Sequence, residues 1–220
     1  MALNKRLVNL EEEKLHEHYL LDDKDRRYCF YFGEYTARSG FGYSKTNQLI
    51  ANFKKSPSVK NKPEWKYKES AIQEIAKLLN RSFKKNSDIT FIPIPSSKSK
   101  FHKDYDDRLL KTLTTAFSDW NNPDIRELIV QKEDIEPFHN REARRDIRVL
   151  LDVWELDKKI ITPIPRKIVI FDDLLTTGCH FKAAKFLLQQ QYSEIPIYGI
   201  FIARRAIESE IINLFEIIEN

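Results

Sequence analysis

The stretch RKIVIFDDLLTTGCHF, Arg166 to Phe181, governs how the rest of the chain is read. Ile168–Phe171 is a run of four apolar residues, as expected of a strand buried on both faces of a parallel sheet. It runs directly into two acids, Asp172 and Asp173, and then into a turn of small residues. In an open α/β sheet, ligands sit at the carboxyl ends of the strands. A helical pattern starts near His180. The unpaired amides and the dipole at a helix N-terminus both favour an anion there. Thr176 and Thr177 add hydroxyl donors, and Gly178 lets the backbone come close to a ligand. The two carboxylates suit ribose hydroxyls or a magnesium ion. A ribose 5-phosphate group fits this layout. Two adjacent acids alone would be read more simply as a strand end bonding its own turn. The acids, threonines and glycine together, between strand and helix, point to a ligand.

The same alternation extends outward. Strands are expected at 28–37, 88–98, 126–131, 149–156, 166–173 and 195–204. Amphipathic helices are expected at 68–83, 104–120, 180–191 and 206–219, with a shorter one at 45–56. Strands alternating with helices imply an α/β fold, a mainly parallel sheet flanked by helices. Residues 1–87 read as a small amino-terminal hood and 88–220 as the α/β core. The 220 residues are enough for a sizeable core. With 37 Lys and Arg against 33 Asp and Glu, the net charge of +4 is too small to argue nucleic-acid binding by itself. The stretch 54–68 carries six lysines with Trp65 and Tyr67. It can make a weak nucleic-acid contact by charge and stacking, although a solvated loop is the simpler reading. No run approaches the ~18 apolar residues of a membrane span. The first 27 residues lack the apolar core of a signal peptide, and Cys29 and Cys179 are lone thiols far apart, so a cytoplasmic protein is expected. His16 and His18 lack a nearby third metal ligand and read as surface residues. A homo-oligomer is compatible with all of this.

The segment IVIFDDLLTTG resembles the ribose-phosphate-binding motif of type I phosphoribosyltransferases. FIPIPSSKSK (91–100) is similar to that family's strand and pyrophosphate loop. REARRDIRVLLDVWE (141–155) and GIFIARR (199–205) resemble segments of its competence-protein (ComF-like) branch. Residues 31–56 resemble the amino-terminal part of that branch more loosely, so the resemblance spans 28–205 and is strong from 88 onward. Two features depart from the pattern. His180 stands where the phosphate loop usually ends in Thr, and the zinc-binding cysteines of many ComF-like proteins are absent.

The resemblance implies a magnesium-dependent enzyme that moves ribose 5-phosphate between phosphoribosyl pyrophosphate and a nitrogen base. It implies that Asp172 and Asp173 hold the ribose hydroxyls, directly or through magnesium-bound water. Thr176, Thr177, Gly178, Cys179 and His180 would bind the 5-phosphate, and Ser96, Ser97 and Lys98 would meet the pyrophosphate. The segment from Gln131 to Leu150 would close over the site, with Arg141, Arg144, Arg145 and Arg148 as pyrophosphate partners. The alternative is a non-catalytic module that binds phosphoribosyl groups or nucleotides, regulatory or associated with DNA uptake.

Overall fold

The computed structural model describes residues 3–132 and 146–207. Its centre is the strand from the opening stretch, β7 (Ile168–Leu175), in which Ile168, Ile170 and Phe171 are fully buried. To one side of β7 runs β8 (Ile197–Ala206), then β2 (Cys29–Thr36) and the short β1 (Val8–Asn9); to the other run β3 (Thr90–Pro93) and β4 (Asp124–Ile125). Every pairing in this six-stranded sheet is parallel except β1 with β2. The α/β class and the mainly parallel sheet expected from the sequence are therefore observed. β2 comes from the segment read as an amino-terminal hood, yet it pairs along its length with β8, from Cys29 opposite Gly199 to Thr36 opposite Ala206.

Helices α2 (Lys45–Phe53), α3 (Trp65–Ser82) and α4 (Arg108–Ala116) pack together against the sheet. Each buries the apolar stripe its sequence spacing requires: Leu49, Ile50 and Phe53 from α2, Ile72, Ile75 and Leu79 from α3, Leu109 and Leu113 from α4. The short α1 (Asp23–Arg26) has a capping box between Asp22 and Asp25. The last long described helix, α6 (Cys179–Gln191), follows β7 directly. It is seated by Phe181, whose ring lies across Gly199 of β8. A Cβ at Gly199 would stand 2.8 Å from that ring, so only glycine leaves room.

Two expected strands take other forms. VLLDVWEL was expected to be one strand, but Ile147–Val153 is helix α5 and only Trp154–Leu156 is strand, β6. Asp146 explains the difference: its side chain accepts from the Arg148 amide and commits the chain to a helical turn. Ile147, Leu150 and Leu151 then share one helix face, a pattern that a short apolar run does not separate from a strand. The stretch 126–131 supplies β5 (Ile129–Gln131), which pairs antiparallel with β6 outside the main sheet. The main sheet takes its edge strand β4 from just upstream instead. Residues 65–67, expected in a loop, form the first turn of α3. The helix expected at 206–219 falls almost wholly outside the described residues, and Ala206 belongs to β8. Among the described residues, no helix is long and apolar enough to cross a membrane.

Replacing Gly199 by Ala is expected to destabilise the fold by about 1–3 kcal/mol, because the added methyl forces Phe181 out of its rotamer. Urea denaturation measures this directly, and an unchanged midpoint would show that α6 is seated by other contacts.

Candidate functional site

β3 ends at Pro93, opposite Phe171, so β7 runs on past its neighbour with Asp172 and Asp173 at an open edge. Both acids are nevertheless buried, at 4% and 6% exposure, so their charges must be met by the protein. Asp172 accepts from the Asp173 amide at 2.7 Å through Oδ1, and its Oδ2 faces Nδ1 of His180 at 2.9 Å. Asp173 Oδ1 pairs with Lys54 at 2.8 Å and its Oδ2 with Arg108 Nη2 at 2.7 Å. Arg108 also reaches Asp106 at 2.6 Å, and Asp106 receives the buried Lys68 ammonium at 2.7 Å. Lys68 further donates to the Lys55 carbonyl at 2.7 Å. The chain of charges Lys54–Asp173–Arg108–Asp106–Lys68 thus joins α2, β7, α4 and α3.

The electrostatics follow from this arrangement. Burial alone would raise the Asp173 carboxyl, but the charges of Lys54 and Arg108 hold it below its ordinary range, at about 2. The His180 side chain is about half exposed, at 49%; the partial desolvation it does undergo works against a charged ring, but the Asp172 carboxylate outweighs it and raises the imidazole above its ordinary value. Burial lowers Lys68, with Asp106 opposing that shift. Burial also pushes the Cys179 thiol up to about 11, so it stays protonated and unreactive.

The turn after the acids is built from behind by the amino-terminal segment. His18 Nδ1 meets the Thr176 carbonyl, and the Leu20 amide donates to the Thr177 carbonyl at 3.0 Å. Gly178 has φ +91, and Leu21 lies 2.5 Å from where its Cβ would be, so conformation and space both demand glycine. Thr177, Gly178 and Cys179 are buried, whereas Thr176 and His180 stay exposed. The first amides of α6 have no acceptor within the helix.

A cleft of about 250 Å³ opens at this strand edge, and Asp172, Asp173, His180, Ser96 and Ser97 all line it. These expected site residues are brought together. Thr176, Thr177, Gly178 and Cys179 do not line that cleft. Lys98 lines a neighbouring cavity of about 340 Å³ that also includes Tyr105 and Glu127. Arg141, Arg144 and Arg145 lie outside the described residues, as does most of the segment expected to close over the site. Arg148 is exposed and pairs with Asp146 at 2.8 Å, a local ion pair at the start of α5. The stretch 54–68 also differs from a simple solvated loop: Lys68 is buried against Asp106 and Lys54, though exposed, pairs with Asp173, while Lys60, Lys62 and Lys66 stay exposed.

Lys54, Arg108, Asp106 and Lys68 were not singled out in the sequence. Arg108 left a trace there, because a cation at the first position of a helix opposes the dipole and needs a compensating acid. The donor set fits a protein-held magnesium ion poorly. Asp173 is already matched by two cations and Asp172 by His180. Among the described residues, no group of three or more His, Cys, Asp or Glu is arranged to hold a metal.

Two outcomes follow from the buried charges. Lys68→Met should cost about 3 kcal/mol in urea denaturation, since it strips a buried partner from Asp106. The depressed Asp173 carboxyl contributes stability that is present above its ordinary value of 3.8 and is lost as pH falls toward about 2. Thermal melts across that window should show a steeper acid loss in the wild type than in Asp173→Asn. Equal slopes would remove Asp173 from the account. No protein-family model matches this chain, and no curated protein matches it either.

Proposed function

We propose that the chain is a phosphoribosyltransferase, which binds phosphoribosyl pyrophosphate or a ribonucleotide at the carboxyl edge of its sheet. It would move the ribose 5-phosphate unit between pyrophosphate and a nitrogen base. One observation carries this reading: the acids ending β7, Ser96 and Ser97 after β3, and His180 in the first turn of α6 line a single cleft. In such a transfer the bond from the anomeric carbon to pyrophosphate breaks as the bond to the base nitrogen forms. The intervening state resembles an oxocarbenium ion and requires no covalent nucleophile. Catalysis is then positioning and charge stabilisation. Asp172, oriented by His180 and by the Asp173 amide, would accept from the ribose hydroxyls. The amides beginning α6 and the Thr176 hydroxyl would take the 5-phosphate. Ser96 and Ser97 would meet the pyrophosphate, and Arg144 and Arg145 are proposed to close over it.

A second reading, phosphoribosyl binding without turnover, draws support from Asp173, which is committed to Lys54 and Arg108. Incubation with phosphoribosyl pyrophosphate and a panel of bases, with and without magnesium, separates the two when pyrophosphate release is followed. Release above the spontaneous rate is expected, and Asp172→Asn should reduce it about 100-fold or more. Binding seen by calorimetry, with no release for any base, would assign the non-catalytic module. No binding would overturn both readings.

A further inference from the structure

We propose that this site meets its anionic ligand with the chain's own cations, Lys54 and Arg108, in place of a divalent metal ion. The inference rests on the phosphoribosyl reading above. Magnesium binds bare oxygens at about 2.1 Å and sheds its waters reluctantly. Neither strand-end acid offers an oxygen clear of other contacts. Both oxygens of Asp173 are taken, one by Lys54 at 2.8 Å and one by Arg108 at 2.7 Å. Asp172 keeps a lone pair on each oxygen, enough to accept from a ribose hydroxyl, but the Asp173 amide at 2.7 Å and His180 at 2.9 Å already flank both. Asp106 is shared between Arg108 and Lys68. Asp104 is the one acid lining the cleft that has no ion pair among the described residues, and a single carboxylate is a weak magnesium site. An incoming dication would meet two cations already seated on the oxygens it needs, and at this range like charges repel strongly.

The two cations differ in freedom. Arg108 is forked between Asp106 and Asp173 and is fixed in place. Lys54 sits just past the end of α2, and its side chain is 39% exposed on a flexible stem. It can leave Asp173 for an arriving phosphate oxygen while Arg108 continues to neutralise the carboxylate. Ligand entry then exchanges one ion pair for another and never strips a buried acid of all its partners. A diphosphate gains from that exchange, whereas a neutral sugar does not.

The test has two arms, and the first needs no phosphoribosyl ligand. Manganese, which favours the same oxygen ligands as magnesium, is titrated onto the full chain and followed by electron paramagnetic resonance. No saturable site is expected up to about 1 mM, the weak end of specific affinity. A saturable site that disappears in Asp172→Asn/Asp173→Asn would overturn the proposal. In the second arm, calorimetry compares phosphoribosyl pyrophosphate binding in chelator with binding in excess magnesium. Affinity is expected to be at least as high in chelator. Lys54→Met should lower that metal-free affinity about tenfold or more, while Lys54→Arg retains it, with melting temperatures checked for both. Binding that requires magnesium, or an unaltered Lys54→Met, would overturn the proposal. Failure to bind under either condition would instead overturn the proposed function, and the manganese arm would still decide the metal question.

Discussion

A buried carboxylate held between two cations organises the edge of this sheet. Asp173 is placed by β7, and its partners arrive from the end of α2 and the start of α4. Desolvating three charges is expensive, and an apolar cluster of similar volume would stabilise a fold at least as well. Energy alone therefore does not account for this arrangement. Its geometric consequence is plain, however: the ends of two helices are drawn to one point on the strand edge, and that point lines the cleft. Lys68 extends the effect by holding Asp106, which in turn holds the far side of the Arg108 guanidinium.

The amino-terminal segment works from the other side. Asp25 is buried and receives Lys182 and Lys185 from α6, the latter at 2.7 Å. Glu17 reaches the buried Arg204 of β8 at 3.0 Å. With His18 and Leu20 occupying carbonyls of the turn, the residues before β2 act as a backing plate for the start of α6. Two separate segments thus converge on the same few residues, residues 17–21 shaping the turn and Lys54 with Arg108 supplying the counter-charges.

The local signals in the sequence were of unequal strength. Ile168–Phe171 reads as a central strand because four apolar residues in a row need cover on both faces, and only a central strand has it. The amphipathic stripes of α3 and α6 are equally direct, since their spacing repeats over several turns. VLLDVWEL is different. Its apolar residues satisfy helix and strand alike over so short a span, and the decision fell to the Asp146 cap and to the pairing of Trp154–Leu156 with β5.

The acids, the threonines and the glycine were visible as a candidate site because they are contiguous, and contiguity is what a sequence preserves. Their chemical state was not visible. Whether Asp173 stands bare or neutralised depends on Lys54 and Arg108, 119 and 65 positions away, and no spacing rule connects them. The position of Gly178 was legible, but its packing against Leu21 was not, since that contact forms only once the amino-terminal segment folds back over the turn. The sequence by itself determined the strongly patterned elements and the reactive groups carried on one of them. Tertiary structure decided which charges face each other, because electrostatic environment is a property of distance in space, and only the folded chain sets that distance.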